Sequence, residues 1–169
     1  EVVLFDMRQQ ALDASRSALK KVMERLVEKG RVKVDEAKAI QNRFTYATEI
    51  NAFADCGLVI EAVIEDLAIK KQLFEQLGST VGPNAILATN TSSLSVTSIA
   101  AACKLPERVI GLHFFNPAPL LPLVEVVPGL ATHEQHTKAC VALMKAWGKT
   151  PVIAKDTPGF IVNRVARPF

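Results

Sequence analysis

GLVIEAVIEDLAIKKQLF, residues 57–74, decides the fold. It opens with an apolar run, Leu58 to Ile60, closed by Glu61, and turns at Ala62 and Val63. Helical spacing then begins at Asp66 and runs to Leu77, with Gly78 as the expected stop. A strand without a polar face that feeds directly into a helix is the repeating unit of a parallel sheet covered by helices. Outward from this stretch the same alternation recurs. Strands are predicted at VVLF (2–5), RFTYAT (43–48), GLVIEA (57–62), AILATN (85–90), RVIGLHFF (108–115), LVEVV (123–127) and TPVIAK (150–155). Helical periodicity fills the gaps. Arg8 to Lys29 repeats apolar residues and stops at Gly30, and Ser95 caps VTSIAAAC. Thr132 with Gln135 forms a capping-box pattern before a helix that Gly148 ends, and Thr157 caps a last helix with Pro158 at its first position. The expectation is an α/β fold: a doubly wound, mostly parallel sheet with helices on both faces.

Composition narrows the class. The 169 residues, 49% hydrophobic, suffice for one packed domain. Net charge is +3, and basic residues are interspersed with acidic ones, as in ASRSALKKVMERLVEKGR. That dispersion excludes the basic stripe of a nucleic-acid binder. Cys56, Cys103 and Cys140 show no C-x-x-C spacing and leave an odd number, which predicts neither a disulfide framework nor a zinc site and fits a reducing cytoplasm. His133 and His136, beside Glu134 and Lys138, read as a solvated first helical turn, so no metal is expected. No apolar run approaches membrane-spanning length and no signal peptide is read, which predicts a soluble chain without a membrane partner. Both ends read as cut. VVLF is a strand already under way at Glu1, and TPGFIVNRVARPF opens a helix and stops. The expectation is a fragment of a longer chain.

Several strand ends carry chemistry. Asp6 closes VVLF just before a helix, where a dinucleotide-binding fold presents a carboxylate to the adenosine ribose; an ordinary helix cap is the competing reading. Ala62 and Val63 are small and apolar enough for a ring to lie against, with Glu65 and Lys70 beyond them. Asn90, Thr91, Ser92 and Ser93 crowd another strand end with more polar groups than a cap needs, which points to a polar substrate. His113 and Glu125 fall on successive strands otherwise almost wholly apolar. Ser92, His113 and Glu125 raise the possibility of a hydrolytic triad, but the serine lacks a G-x-S-x-G elbow. Proton transfer is the better role: His113 takes a hydroxyl proton while Glu125 holds the other ring nitrogen. Asn163, on the last helix, can donate to a substrate oxygen.

FDMR, VIEAVIED, TNTSSLSVTSIA, GLHFFNPAP, LVEVV and DTPGFIVNR, together and in this order, resemble the NAD-binding domain of L-3-hydroxyacyl-CoA dehydrogenases. The resemblance implies NAD as cofactor, an acyl-CoA substrate, His113 as catalytic base and Glu125 as its partner. It places Ser92 and Asn163 on the substrate's 3-oxygen and Asp6, Ala62, Val63, Glu65, Lys70 and Asn90 against the cofactor. Lys29 falls where the family contacts coenzyme A. Asp6 favours NAD over NADP, since a carboxylate repels a 2'-phosphate. The wording FNPAP, GLAT and TPGFIVNRVARP is most similar to the bacterial phenylacetate-degradation branch, which implies 3-hydroxyadipyl-CoA, with 3-hydroxybutyryl-CoA as the alternative. The resemblance also implies a dinucleotide-binding domain over 1–155 that lacks its first strand and glycine loop, with residues 156–169 beginning a helical domain, and a homodimer through that helical domain. One departure is visible: the family's Met-Lys after FNP-x-P is replaced here by Leu121 and Pro122. Structural relatives of the same superfamily, the lens λ-crystallins, supply a non-catalytic alternative, as does an inactive fragment. A lysine-based dehydrogenase is disfavoured because TNTSSLS and the His113 turn contain no lysine.

Overall fold

A computed structural model describes residues 1–166 and divides into two compact units, Glu1–Ala54 and the chain from Asp55 onward. In the first unit, strand β1 (Val2–Phe5) pairs in parallel with β2 (Phe44–Ala47), Val2 opposite Phe44 through Phe5 opposite Ala47. Helices α1 (Gln9–Glu28) and α2 (Val34–Asn42) connect them. Helix α1 ends as Gly30 predicts. That residue adopts φ +66°, its N–H bonds Val27 O, and the N–H of Arg31 reaches back to Leu26 O. Leu12 and Met23 are the buried positions of α1, and the Arg16 guanidinium lies 4.5 Å over the Tyr46 ring. Helix α2 was not anticipated; its signal is the acidic pair Asp35 and Glu36 in the first turn.

The second unit holds a five-stranded sheet in the order β3 (Leu58–Glu61), β4 (Ile86–Thr89), β5 (Val109–Phe114), β6 (Leu123–Pro128) and β7 (Thr150–Ile153). Strands β3, β4 and β5 are parallel, β6 runs against β5, and β7 runs with β6. Helices α3 (Leu67–Thr80), α4 (Val96–Ala100), α5 (Glu134–Ala146) and α6 (Val162–Ala166) complete it. Because side chains alternate along a strand, the two faces have different characters. Ala88, Ile110, Leu112, Val124 and Val126 project to one face and pack with Cys140 and Met144 of α5 in an apolar core. The opposite face carries Glu61, Thr89, Gly111, His113 and Glu125 and is covered by α3 and α4. At Gly111 a Cβ would lie 2.9 Å from both Val127 Cβ and Val96 Cγ2, so the absence of a side chain there seats α4 on the sheet.

The helix ends in this unit partly depart from expectation. Asp66 caps α3 and Ser95 caps α4, each accepting the N–H three residues on. Helix α3 runs through Gly78 to Thr80; the fully buried Arg108 guanidinium donates to the carbonyls of Gly78 and Gly82, stabilising the helix's negative end past the glycine. The cap of α5 is His133, not Thr132, whose hydroxyl instead donates to Val109 O and accepts from the N–H of Gly129. Gly148 does end α5, at φ +73°. Helix α6 begins at Val162 instead of Pro158, because Gly159 (φ +74°) and Phe160 (φ +48°) form a left-handed turn before it. Among the described residues no helix is long and apolar enough to cross a membrane, and Cys56, Cys103 and Cys140 are free.

Candidate active site

The antiparallel ladder between β5 and β6 puts His113 directly opposite Glu125. Cross-strand partners point to the same face, and both side chains are buried there, His113 at 5% and Glu125 at 1% exposure. His113 Nδ1 lies 2.7 Å from Glu125 Oε2. The carboxylate's other oxygen accepts the N–H groups of Ile161 and Val162, each at 2.9 Å. Glu125 therefore caps α6, the role expected of Thr157, and orients the imidazole with its second oxygen. The left-handed turn at Gly159 and Phe160 aims those two N–H groups. The ring of Phe160 meets His113 edge-on at 5.8 Å, and Phe115 lies tilted against it at 4.4 Å. Carboxylate and two aromatic rings thus fix the imidazole plane.

Ser92 is exposed in the turn after β4. Asn163, one residue into α6, donates from Nδ2 to Ser92 O at 3.0 Å, so two of the expected substrate residues meet. Asn90 accepts the Phe114 N–H on Oδ1 at 2.8 Å, next to His113 in sequence, and its own N–H bonds Glu61 O.

The turn after β3 rests on a buried ionic cluster. Lys70, 1% exposed, places Nζ 2.5 Å from Glu61 Oε1 and 3.4 Å from Glu65 Oε2. Glu61 also accepts the Thr89 hydroxyl and the Val63 N–H. Glu65 Oε1 accepts from the Thr91 hydroxyl and from the N–H groups of Ser92 and Ser93. Partial burial pushes the Glu65 carboxyl up, but the Thr91 hydroxyl, the Ser92 N–H and the Lys70 ammonium outweigh it and hold the group below the ordinary carboxylate range. Ala62 and Val63 stand exposed above this cluster. Glu61 escaped the sequence reading, although it is an acid at a strand end as Asp6 is. Asp156 escaped it too. From the β7–α6 connection its carboxylate accepts the N–H groups of Val96 and Thr97 and the hydroxyls of Ser95 and Thr97. Burial raises that carboxyl, and the four donors, the Thr97 hydroxyl foremost, bring it net below its ordinary value.

In the first unit Asp6 Oδ1 accepts the backbone N–H and the Nε–H of Arg8, in that order the causes that lower its carboxyl. Asp6 does not cap α1, whose N-cap is Arg8. Lys29 is exposed at the end of α1. Taken by itself, Asp6 keeps a second carboxylate oxygen able to accept from a diol. In the second unit a small apolar turn has its charges neutralised from below, and the Asn90 carbonyl is engaged while its amide donor takes no partner among the described residues.

Comparison with known proteins gives a consistent answer. The profile of the family described as "3-hydroxyacyl-CoA dehydrogenase, NAD binding domain" matches residues 1–157. The chain is 46% identical over 169 residues to the 3-hydroxyadipyl-CoA dehydrogenase of Escherichia coli (strain K12), covering all of this chain and 36% of that protein. It is 40% identical to a probable 3-hydroxybutyryl-CoA dehydrogenase of Deinococcus radiodurans, again over its whole length and 60% of the relative. The crystal structure of 3-hydroxybutyryl-CoA dehydrogenase from Escherichia coli K12 superposes with a TM-score of 0.96 at 46% identity, covering 99% of this chain and 36% of that one. The chain thus spans between about a third and three fifths of the length of these relatives.

Proposed function

The chain belongs to the family of 3-hydroxyacyl-CoA dehydrogenase NAD-binding domains, and from that premise we propose that the protein reversibly oxidises the 3-hydroxyl of an L-3-hydroxyacyl-CoA to the 3-ketoacyl-CoA. The observation that carries the reading is the His113–Glu125 pair at 2.7 Å, buried on one face of the sheet. His113 accepts the hydroxyl proton as general base, and Glu125 holds Nδ1 so that the opposite ring nitrogen faces the substrate. The imidazolium that forms is stabilised by the adjacent carboxylate. Ser92 and Asn163, joined through the Ser92 carbonyl, bind the 3-oxygen. Bound NAD supplies the hydride acceptor.

Asp6 receives the ribose hydroxyls, and Ala62, Val63 and Asn90 face the cofactor. Lys70 and Glu65 serve that contact from beneath. Their charges are committed to Glu61 and to the Ser92 turn, which holds the two turns rigid. Lys29 meets coenzyme A. Substrates are 3-hydroxyadipyl-CoA or 3-hydroxybutyryl-CoA, the activities named for the relatives. Three free thiols suit a cytoplasmic setting.

Replacing His113 with Gln tests the reading. NADH-dependent turnover of acetoacetyl-CoA should fall about 10²–10⁴-fold, with NADH affinity nearly unchanged. Undiminished turnover would remove His113 from proton transfer.

A further inference from the structure

We propose that Lys149 is a positioning residue for His113: its ammonium clasps the Phe115–Pro122 loop and thereby keeps the Phe115 ring seated on the imidazole. The kinetic part of this inference rests on the dehydrogenase reading above; the clasp itself does not.

Lys149 is anchored twice. Its backbone follows the stop of α5, where the Gly148 N–H bonds Lys145 O and the Lys149 N–H bonds Met144 O at 2.9 Å. Its side chain crosses to the loop between β5 and β6, where Nζ lies 2.5 Å from Ala118 O and 2.9 Å from Leu121 O. Next in the chain, the Thr150 N–H bonds Pro122 O at 2.8 Å. Inside the loop, the Leu120 and Leu121 N–H groups converge on Pro117 O.

Two main-chain carbonyls aimed at one point repel each other unless a cation or donor sits between them, and among the described residues Lys149 is the group that does. Its ammonium forms no ion pair among those residues, so its charge is given wholly to the loop. The loop carries little apolar anchorage of its own: Leu120 is 77% and Leu121 39% exposed. It begins at Phe115, whose ring is one of the two that bracket His113, 4.4 Å away. Releasing Ala118 and Leu121 frees the loop five to eight residues from the imidazole and loosens that ring.

The test compares Lys149→Met, which keeps the aliphatic stem, with Lys149→Arg, whose forked donors can still reach two carbonyls. Two readouts need no activity. Amide exchange should quicken in residues 115–122 alone in the Met variant and return toward normal in the Arg variant. The ring-proton resonances of His113, distinguished from those of His133 and His136 by replacing the latter, should lose the ring-current shift that Phe115 imposes. Turnover with a 3-hydroxyacyl-CoA should fall about tenfold to a hundredfold in the Met variant, with NADH affinity unchanged and Arg restoring most of it. Unchanged loop exchange overturns the clasp. Faster loop exchange with unmoved His113 resonances or full turnover overturns the positioning role. Loss of exchange protection throughout the chain also overturns it, since Lys149 would then hold the fold. If the unsubstituted protein turns over no 3-hydroxyacyl-CoA, the functional reading fails while exchange and resonances still decide the clasp.

Discussion

The Glu61–Lys70–Glu65 cluster and the His113–Glu125 pair lie on the same face of one sheet, yet they treat charge oppositely. In the first, a buried ammonium is held between two carboxylates whose remaining lone pairs are taken by Thr89, Val63, Thr91, Ser92 and Ser93. Every group is satisfied, so nothing gains by moving. In the second, one carboxylate serves two masters: an imidazole able to gain and lose a proton, and a pair of fixed N–H donors. In the proposed reaction the donors keep Glu125 still while His113 takes up a proton. The contrast separates a cluster that holds turns in place from a pair suited to carrying a proton.

Glu125→Gln breaks the contrast most sharply. The amide oxygen can still accept from Ile161 and Val162, so thermal stability should change little. The amide nitrogen would confront His113 Nδ1 as a donor and impose the wrong tautomer, lowering turnover on the order of 10²–10⁴-fold. Comparable losses of stability and turnover would show that Glu125 is mainly a helix cap.

Lys70→Met tests the other cluster. Stranding Glu61, 4% exposed, should lower unfolding free energy by about 3–5 kcal/mol in a urea titration, and adding Glu61→Leu should recover a large part of it. A single substitution of under about 1 kcal/mol would mean that water reaches the pair and the cluster is not the rigid body described.

Asp156→Asn is the smallest effect. The folded Asp156 carboxyl lies below its ordinary value of 3.8. Its contribution is therefore complete above pH 3.8 and is lost as the pH falls from there through the lower folded value. Melting temperatures across that acid range should decline less steeply in the variant than in the parent. Parallel declines would show that the α4 cap is indifferent to charge.

What the sequence makes legible follows from range. Apolar runs and glycine stops are local, and strands β1 to β7 lie where the runs predict, as do the ends of α1 and α5 at Gly30 and Gly148. Where a distant group supplies the stop or cap, local signals mislead: Arg108 carries α3 past Gly78, and Glu125 displaces Thr157 as the cap of α6. The candidate site divides the same way. His113 and Glu125 stand out as polar residues in apolar strands. Asp156 and Lys149 look like ordinary surface residues until the fold brings 96–97 and 118–121 beside them. Lys70 reads as one of two adjacent lysines on a helix, and only packing shows which of the two is buried.

The antiparallel turn of the sheet at β6 also sets how far along the chain each contact of the site reaches. His113 and Glu125 are separated by 12 residues, whereas Asn163 and Ser92 are separated by 71. Closing the longer loop costs about 1.6 kcal/mol more in chain entropy. The His113–Glu125 pair thus closes within a single hairpin, while the Asn163–Ser92 contact spans most of the second unit. The N–H groups of residues 161 and 162 belong to that long-range segment, 36 and 37 residues from Glu125. One carboxylate therefore ties a short-range neighbour, the imidazole, to a long-range one, the start of α6, and a shift in either is felt by the other.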